Sequence, residues 1–194
     1  KLQAYTVQKS SDAQGPVTPG ATVTYRVELT GTGQDQYTDA DPATFEDDLS
    51  DVVDDATLDV ANLPPGMSYD ETTRKLTWSG ALGVNQTLPL EYTVTVKGPV
   101  DGKLPGNGSL KNVVVAPDGS GGDCIAPNAC SVTDDVKAYT VNKSVDKTSV
   151  YPGDKVAYTV QVTNVGQVDY TGQGQDVAKF EDDLSEILDD GFVV

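Results

Sequence analysis

The sequence contains no histidine. That excludes Ser-His-Asp hydrolysis, histidine–metal sites and the side chain most used as a general base near neutral pH. Positive charge is scarce. Thirteen Lys and Arg stand against thirty Asp and Glu, a net charge of −17. No basic stripe is available to displace counterions from phosphates, so nucleic acid is not an expected partner, and anionic membrane surfaces are disfavoured by the same sign. Long apolar runs are missing too. No stretch approaches the roughly 18–20 apolar residues of a membrane span, so no membrane insertion is expected of this segment. The chain opens on Lys1 without a basic segment followed by an apolar one, and it reads as a piece of a longer protein. Cysteine is limited to Cys124 and Cys130. Two cysteines without histidine make a poor zinc site. A close pair in a Gly/Pro-rich loop reads instead as a small disulfide ring in an oxidising compartment, the alternative being two free thiols.

What is present is a globular composition, 37% apolar and 22% charged over 194 residues, enough for one or two domains. An internal repeat organises it. Tyr5-Thr6-Val7-Gln8-Lys9-Ser10 recurs as Tyr139-Thr140-Val141-Asn142-Lys143-Ser144. Val17-Thr18-Pro19-Gly20 recurs as Val150-Tyr151-Pro152-Gly153, and Phe45-Glu46-Asp47-Asp48-Leu49-Ser50 as Phe180-Glu181-Asp182-Asp183-Leu184-Ser185. The offset is nearly constant, which indicates duplication. Residues 1–133 form one complete module. Residues 134–194 form the N-terminal half of a second, with nothing matching Leu76-Thr77-Trp78, Tyr92-Thr93-Val94 or Leu110-Lys111-Asn112.

Within a module the apolar period is two. Thr22 to Leu29, Leu90 to Val96 and Leu110 to Val115 are short runs rich in Val, Thr and Tyr, separated by Pro-Gly and Asn-Gly turns. The stretch Leu49 to Ala56 predicts one turn of helix. Many short strands with regular turns predict an all-β chain of immunoglobulin-like β-sandwich modules in tandem, with Trp78 in the core.

The ordered blocks, from the first Lys through Pro-Gly-x-x-Val-x-Tyr, Asp-Asp-Leu-Ser, Trp-Ser-Gly and Tyr-Thr-Val-Thr-Val to Leu-x-Asn-Val-Val, resemble the DUF11-type repeats of Gram-positive, especially actinobacterial, surface proteins. The resemblance implies a module similar to those of adhesins and pilins, many of which carry a self-formed isopeptide bond between Lys and Asn promoted by a buried acid. On the matching positions these are Lys9, Asn112 and Asp47, with Asp48 the second candidate for the acid.

Side-chain parity bears on that implication, because successive strand residues point to opposite faces. Tyr5, Val7 and Lys9 share a face, Asp47 lies between Phe45 and Leu49, and Asn112 lies between Leu110 and Val114. Three inward polar groups are costly unless partnered, and one module that holds three suggests they partner one another. The plainer alternatives are a Lys9 that snorkels, an Asp47 that caps the helical turn and an Asn112 that bonds to the backbone. Lys143 and Asp182 repeat Lys9 and Asp47 without an Asn, so Lys143 is expected to stay unreacted.

The remaining patterns carry less. Asp35, Asp39, Asp41, Asp47, Asp48, Asp51, Asp54 and Asp55 supply oxygen ligands of the kind calcium takes, but without EF-hand spacing, and they read as a solvated face. No metal or cofactor is expected. Asp47 and Asp48 point to opposite faces and do not make a glycosidase pair. The expected role is not enzymatic. It is a structural stalk on the bacterial cell surface or cell wall, extracellular, with adjacent repeats of the same protein as partners. The alternatives are an adhesin module that binds a host protein or glycan, and a filament subunit whose half-module is completed by strands of another chain.

Overall fold

The computed structural model describes residues 2–174 and 176–193. Among the described residues the first copy, whose last strand runs on to Asp135, holds ten strands: β1 Tyr5–Ser11, β2 Thr22–Gly31, β3 Ala43–Leu49, β4 Ala56–Leu58, β5 Met67–Asp70, β6 Lys75–Gly80, β7 Thr87–Val96, β8 Ser109–Val115, β9 Gly122–Cys124 and β10 Ser131–Asp135. They form two five-stranded sheets, ordered β4-β7-β2-β1-β9 and β10-β8-β3-β6-β5. A single helical turn, α1 Ser50–Val53, follows β3 where the sequence predicts one. The chain is all-β.

Alternation sets which side of each strand is covered. In β2, Val23, Tyr25, Val27 and Leu29 are buried and the residues between them are not. β7 runs antiparallel to β2, which pairs Tyr25 with Tyr92 and Val27 with Leu90. Inward residues of both sheets make one continuous core. Phe45 of β3 stacks on Trp78 of β6, ring centroids 5.9 Å apart, and the Trp78 indole N–H donates to the Pro65 carbonyl. Burial of this kind stabilises by roughly 25 cal/mol per Å² of apolar surface.

Turn chemistry sets the strand ends. In Thr18-Pro19-Gly20-Ala21 and Pro64-Pro65-Gly66-Met67 the fourth N–H donates to the first carbonyl. The glycine takes φ +84° in each, the left-handed position that a type II turn reserves for glycine.

The second copy contributes β11 Tyr139–Val145 and β12 Tyr158–Asn164, paired with each other alone, and a helical turn α2 Ser185–Leu188. Phe180 to Leu184, the counterpart of β3, carries no strand. β3 exists because β6 and β8 flank it. No described residues of the second copy supply such neighbours, and a lone strand has no ladder to join. Residues on either side of the repeat boundary are in contact. Val17 bridges Val136, and the Gln167 side-chain amide donates to the Asn107 carbonyl. Buried Asp55 accepts from the N–H groups of Gly106 and Gly108, which holds that loop in place.

Candidate functional site

Between the two sheets lies a cluster of polar side chains with almost no exposure. Lys9 of β1 and Tyr92 of β7 come from the first sheet, Asp47 of β3 and Asn112 of β8 from the second. The side chains of Lys9 and Asp47 are wholly covered, Asn112 is 0% exposed and Tyr92 2%. Parity places them there. Their same-face neighbours Val7, Phe45, Leu49, Leu110 and Val114 are buried, while Gln8 and Asp48 face the other way. Asp47 is paired with Val114 across the β3–β8 ladder, which leaves Asn112 as its diagonal neighbour on the same face.

The contacts are direct. The Lys9 amine donates to Asp47 Oδ2, and to the Tyr92 hydroxyl at 2.9 Å. The Tyr92 hydroxyl donates to the same Asp47 oxygen at 2.7 Å. The Asn112 Nδ2 donates to the Tyr92 hydroxyl, also at 2.7 Å. One phenol oxygen therefore touches all three of the other groups, using one proton and two lone pairs. The Lys9 amine also sits over the rings of Tyr25 and Tyr92, 5.2 and 5.1 Å from their centroids. Two acceptors stay without partners, Asp47 Oδ1 and Asn112 Oδ1. A buried acceptor with no donor is costly.

Burial decides the charge balance. It pulls the Lys9 pKa below the ordinary lysine range, against the opposing attraction of Asp47. It pushes the Tyr92 phenol well above its usual value, helped by the Asp47 charge, so Tyr92 stays a neutral donor.

The other sequence-predicted residues fall elsewhere. Asp48 points out of the cluster, where its Oδ1 accepts from the backbone N–H and hydroxyl of Ser50, bonds that hold its pKa low. Asp47 is therefore the only one of the two candidate acids in the cluster, and it caps no helix. Cys124 and Cys130 are joined as a disulfide.

Lys143 and Asp182 meet at 2.7 Å with side chains 33% and 30% exposed. Around them the first copy's contacts recur. Lys143 sits over the Tyr158 ring at 4.8 Å. Tyr139 packs edge-on against Tyr170 at 5.3 Å and 86°, the values of Tyr5 and Tyr37. No described residue stands where Tyr92 and Asn112 stand in the first copy. Among the described residues no group of three His, Cys, Asp or Glu side chains is placed to hold a metal ion.

Tyr92 is the member that the sequence reading did not assign. Its signal was the Tyr92, Val94, Val96 parity, which buries a phenol whose hydroxyl then needs a partner.

Residues 4–136 match a family described as a domain of unknown function, DUF7927. No curated protein matches the chain. One similar solved structure is an M1 zinc metallopeptidase mutant bound to a Tyr-Ser-Ala substrate, from Deinococcus radiodurans, at 11% identity and a TM-score of 0.22. The match covers 84% of this chain and 38% of that one, and at that TM-score it carries no argument.

Proposed function

The chain belongs to the DUF7927 family, and on that premise we propose that it is a load-bearing stalk module of an extracellular bacterial surface protein, locked by an amide bond between Lys9 and Asn112. The two facing sheets read as an immunoglobulin-like sandwich, in keeping with the DUF11-type repeats the sequence resembles. The observation that carries the reading is the buried cluster itself. It places an amine, a carboxamide and a carboxyl group around one phenol, in an apolar core, with the amine on one sheet and the amide on the other.

The chemistry follows from those atoms. The Lys9 ammonium passes a proton to Asp47 Oδ2 along their direct hydrogen bond, because burial disfavours the ammonium. Rotation of the carboxyl group about Cβ–Cγ carries the protonated oxygen to the Oδ1 position, where it is a donor in place of one orphaned acceptor and can serve the other, the Asn112 carbonyl oxygen. The carbonyl is polarised, and the neutral Lys9 nitrogen attacks Asn112 Cγ to form the new C–N bond. One proton moves from that nitrogen to Asn112 Nδ2 through the carboxyl group. The Cγ–Nδ2 bond breaks and ammonia leaves. The proton first taken from the ammonium remains on Asp47 or leaves with the ammonia as ammonium. Tyr92 holds amine and amide nitrogens on one oxygen, and this fixed approach replaces a bimolecular encounter. The reaction happens once per chain and is not turnover.

A bond between β1 and β8 ties the first strand to a late strand of the opposite sheet. Force applied at the chain ends then bypasses everything between residues 9 and 112. Single-molecule pulling tests this. With about 3.3–3.6 Å per extended residue, the roughly 100 locked residues should remove on the order of 350 Å from the unfolding length of the first module. Full extension of that module would sink the stalk reading.

A further inference from the structure

Beside the cluster the chain crosses from one sheet to the other, and the disulfide closes that crossing. β9 ends at Cys124 on the edge of the first sheet, next to β1. β10 starts at Ser131 on the edge of the second, next to β8. Cys124 and Cys130 are bonded across the turn between them, six residues apart. The ring's backbone holds both reacting strands. The Ile125 N–H donates to the Val7 carbonyl at 3.0 Å, and the Lys9 N–H donates to the Ala129 carbonyl at 2.7 Å. The Val114 N–H donates to the Cys130 carbonyl at 2.9 Å. Past the ring, β10 places Val132 opposite Asn112.

β1 pairs with β9 only from Tyr5 to Val7. Lys9 lies beyond that pairing, and on that side its backbone partner is the ring. One covalent loop thus braces the amine strand at Lys9 itself and the amide strand two residues from Asn112.

We propose that the Cys124–Cys130 disulfide is the positioning element of the crosslinking site, so that amide formation between Lys9 and Asn112 follows disulfide closure. This rests on the crosslinking reading above. With the thiols reduced, residues 125–130 lose their covalent constraint, the edge over Lys9 loosens and water reaches the amine. Water stabilises the ammonium, which cannot attack. A shift of about 1 Å between reacting atoms can itself cost on the order of 100-fold in rate. So short a ring adds only modest stability, so its loss should register in the crosslinking rate more than in folding. The consequence is an order of events. The permanent lock waits for an oxidising compartment, and the chain stays unlocked while its thiols are reduced.

The test is to prepare the full chain with excess thiol and follow its intact mass after adding oxidised glutathione, which takes up the electrons released by the two thiols. The expected reduced chain keeps its ammonia and is folded by Trp78 fluorescence. On oxidation the disulfide closes first and ammonia is lost afterwards. Replacing both cysteines (Cys124→Ser with Cys130→Ser) should slow crosslinking roughly tenfold or more. A chain with free thiols that already lacks ammonia overturns the proposal, as does a double variant that crosslinks at the wild-type rate. If the double variant fails to fold, the order of losses in the wild-type chain still decides. An oxidised wild-type chain that never loses ammonia overturns the crosslink itself, a result read without comparing redox states.

Discussion

Lys9→Ala is expected to lower the melting temperature of the first module by on the order of 20 °C. Two effects add in the same direction. The variant cannot close the bond between residues 9 and 112, and an equivalent covalent closure of a roughly 100-residue loop is worth about 4–5 kcal/mol. It also leaves Asp47, 0% exposed, without the Lys9 nitrogen beside it, and a buried polar group that loses its partner costs about 1–3 kcal/mol. The two do not sum fully, since they share the same atoms. Even about 5 kcal/mol converts to a shift of that size for a module of this length. Lys143→Ala is the internal control. Its pair with Asp182 is about one-third exposed on both sides, so its loss should stay within about 1 kcal/mol. Thermal melts that find equal shifts for the two lysines would remove the distinction drawn between the copies.

Asp47→Asn is expected to abolish crosslinking while leaving the fold. The substitution keeps the size of the side chain and keeps an oxygen for the Lys9 and Tyr92 hydrogen bonds. It removes the group that takes and returns the proton, a role worth roughly 100- to 10,000-fold. The purified variant should therefore retain its ammonia over times in which the wild-type chain has lost it. Asp48→Asn should crosslink as the wild type does, because Asp48 is engaged with Ser50 outside the cluster. Ammonia loss at the wild-type rate in Asp47→Asn, read by mass spectrometry, would assign the proton transfer elsewhere.

The parts of this arrangement differed in how far they could be read in advance. Lys9, Asp47 and Asn112 each interrupt an apolar alternation, and period two is a local property, so their shared inward direction was visible strand by strand. That they meet depends on which strands pair, and β1 and β8 lie on different sheets. Period alone contains no such pairing. Three inward polar groups in one module suggested that they partner one another, and the resemblance to isopeptide-bearing repeats named the bond between them. Tyr92 was hidden for a related reason. A tyrosine in a strand pattern is ordinarily packing, and its hydroxyl gains a role only when Lys9, Asp47 and Asn112 surround it. The cysteines read as a ring from spacing, but the position of that ring at the crossover between sheets needed the register of β9 and β10. In the second copy the blocks were legible and the strand over Phe180 to Leu184 was not obtained. Its propensity is that of β3, but the described chain supplies nothing to pair with it.

The most direct test of the central claim is the intact mass of the oxidised wild-type chain, followed by sequencing of its proteolytic peptides. The account predicts a chain lighter by one ammonia than the disulfide-bonded sequence, with the peptide containing Lys9 joined to the peptide containing Asn112. A mass equal to that of the disulfide-bonded sequence, with a free amine at Lys9, would contradict it.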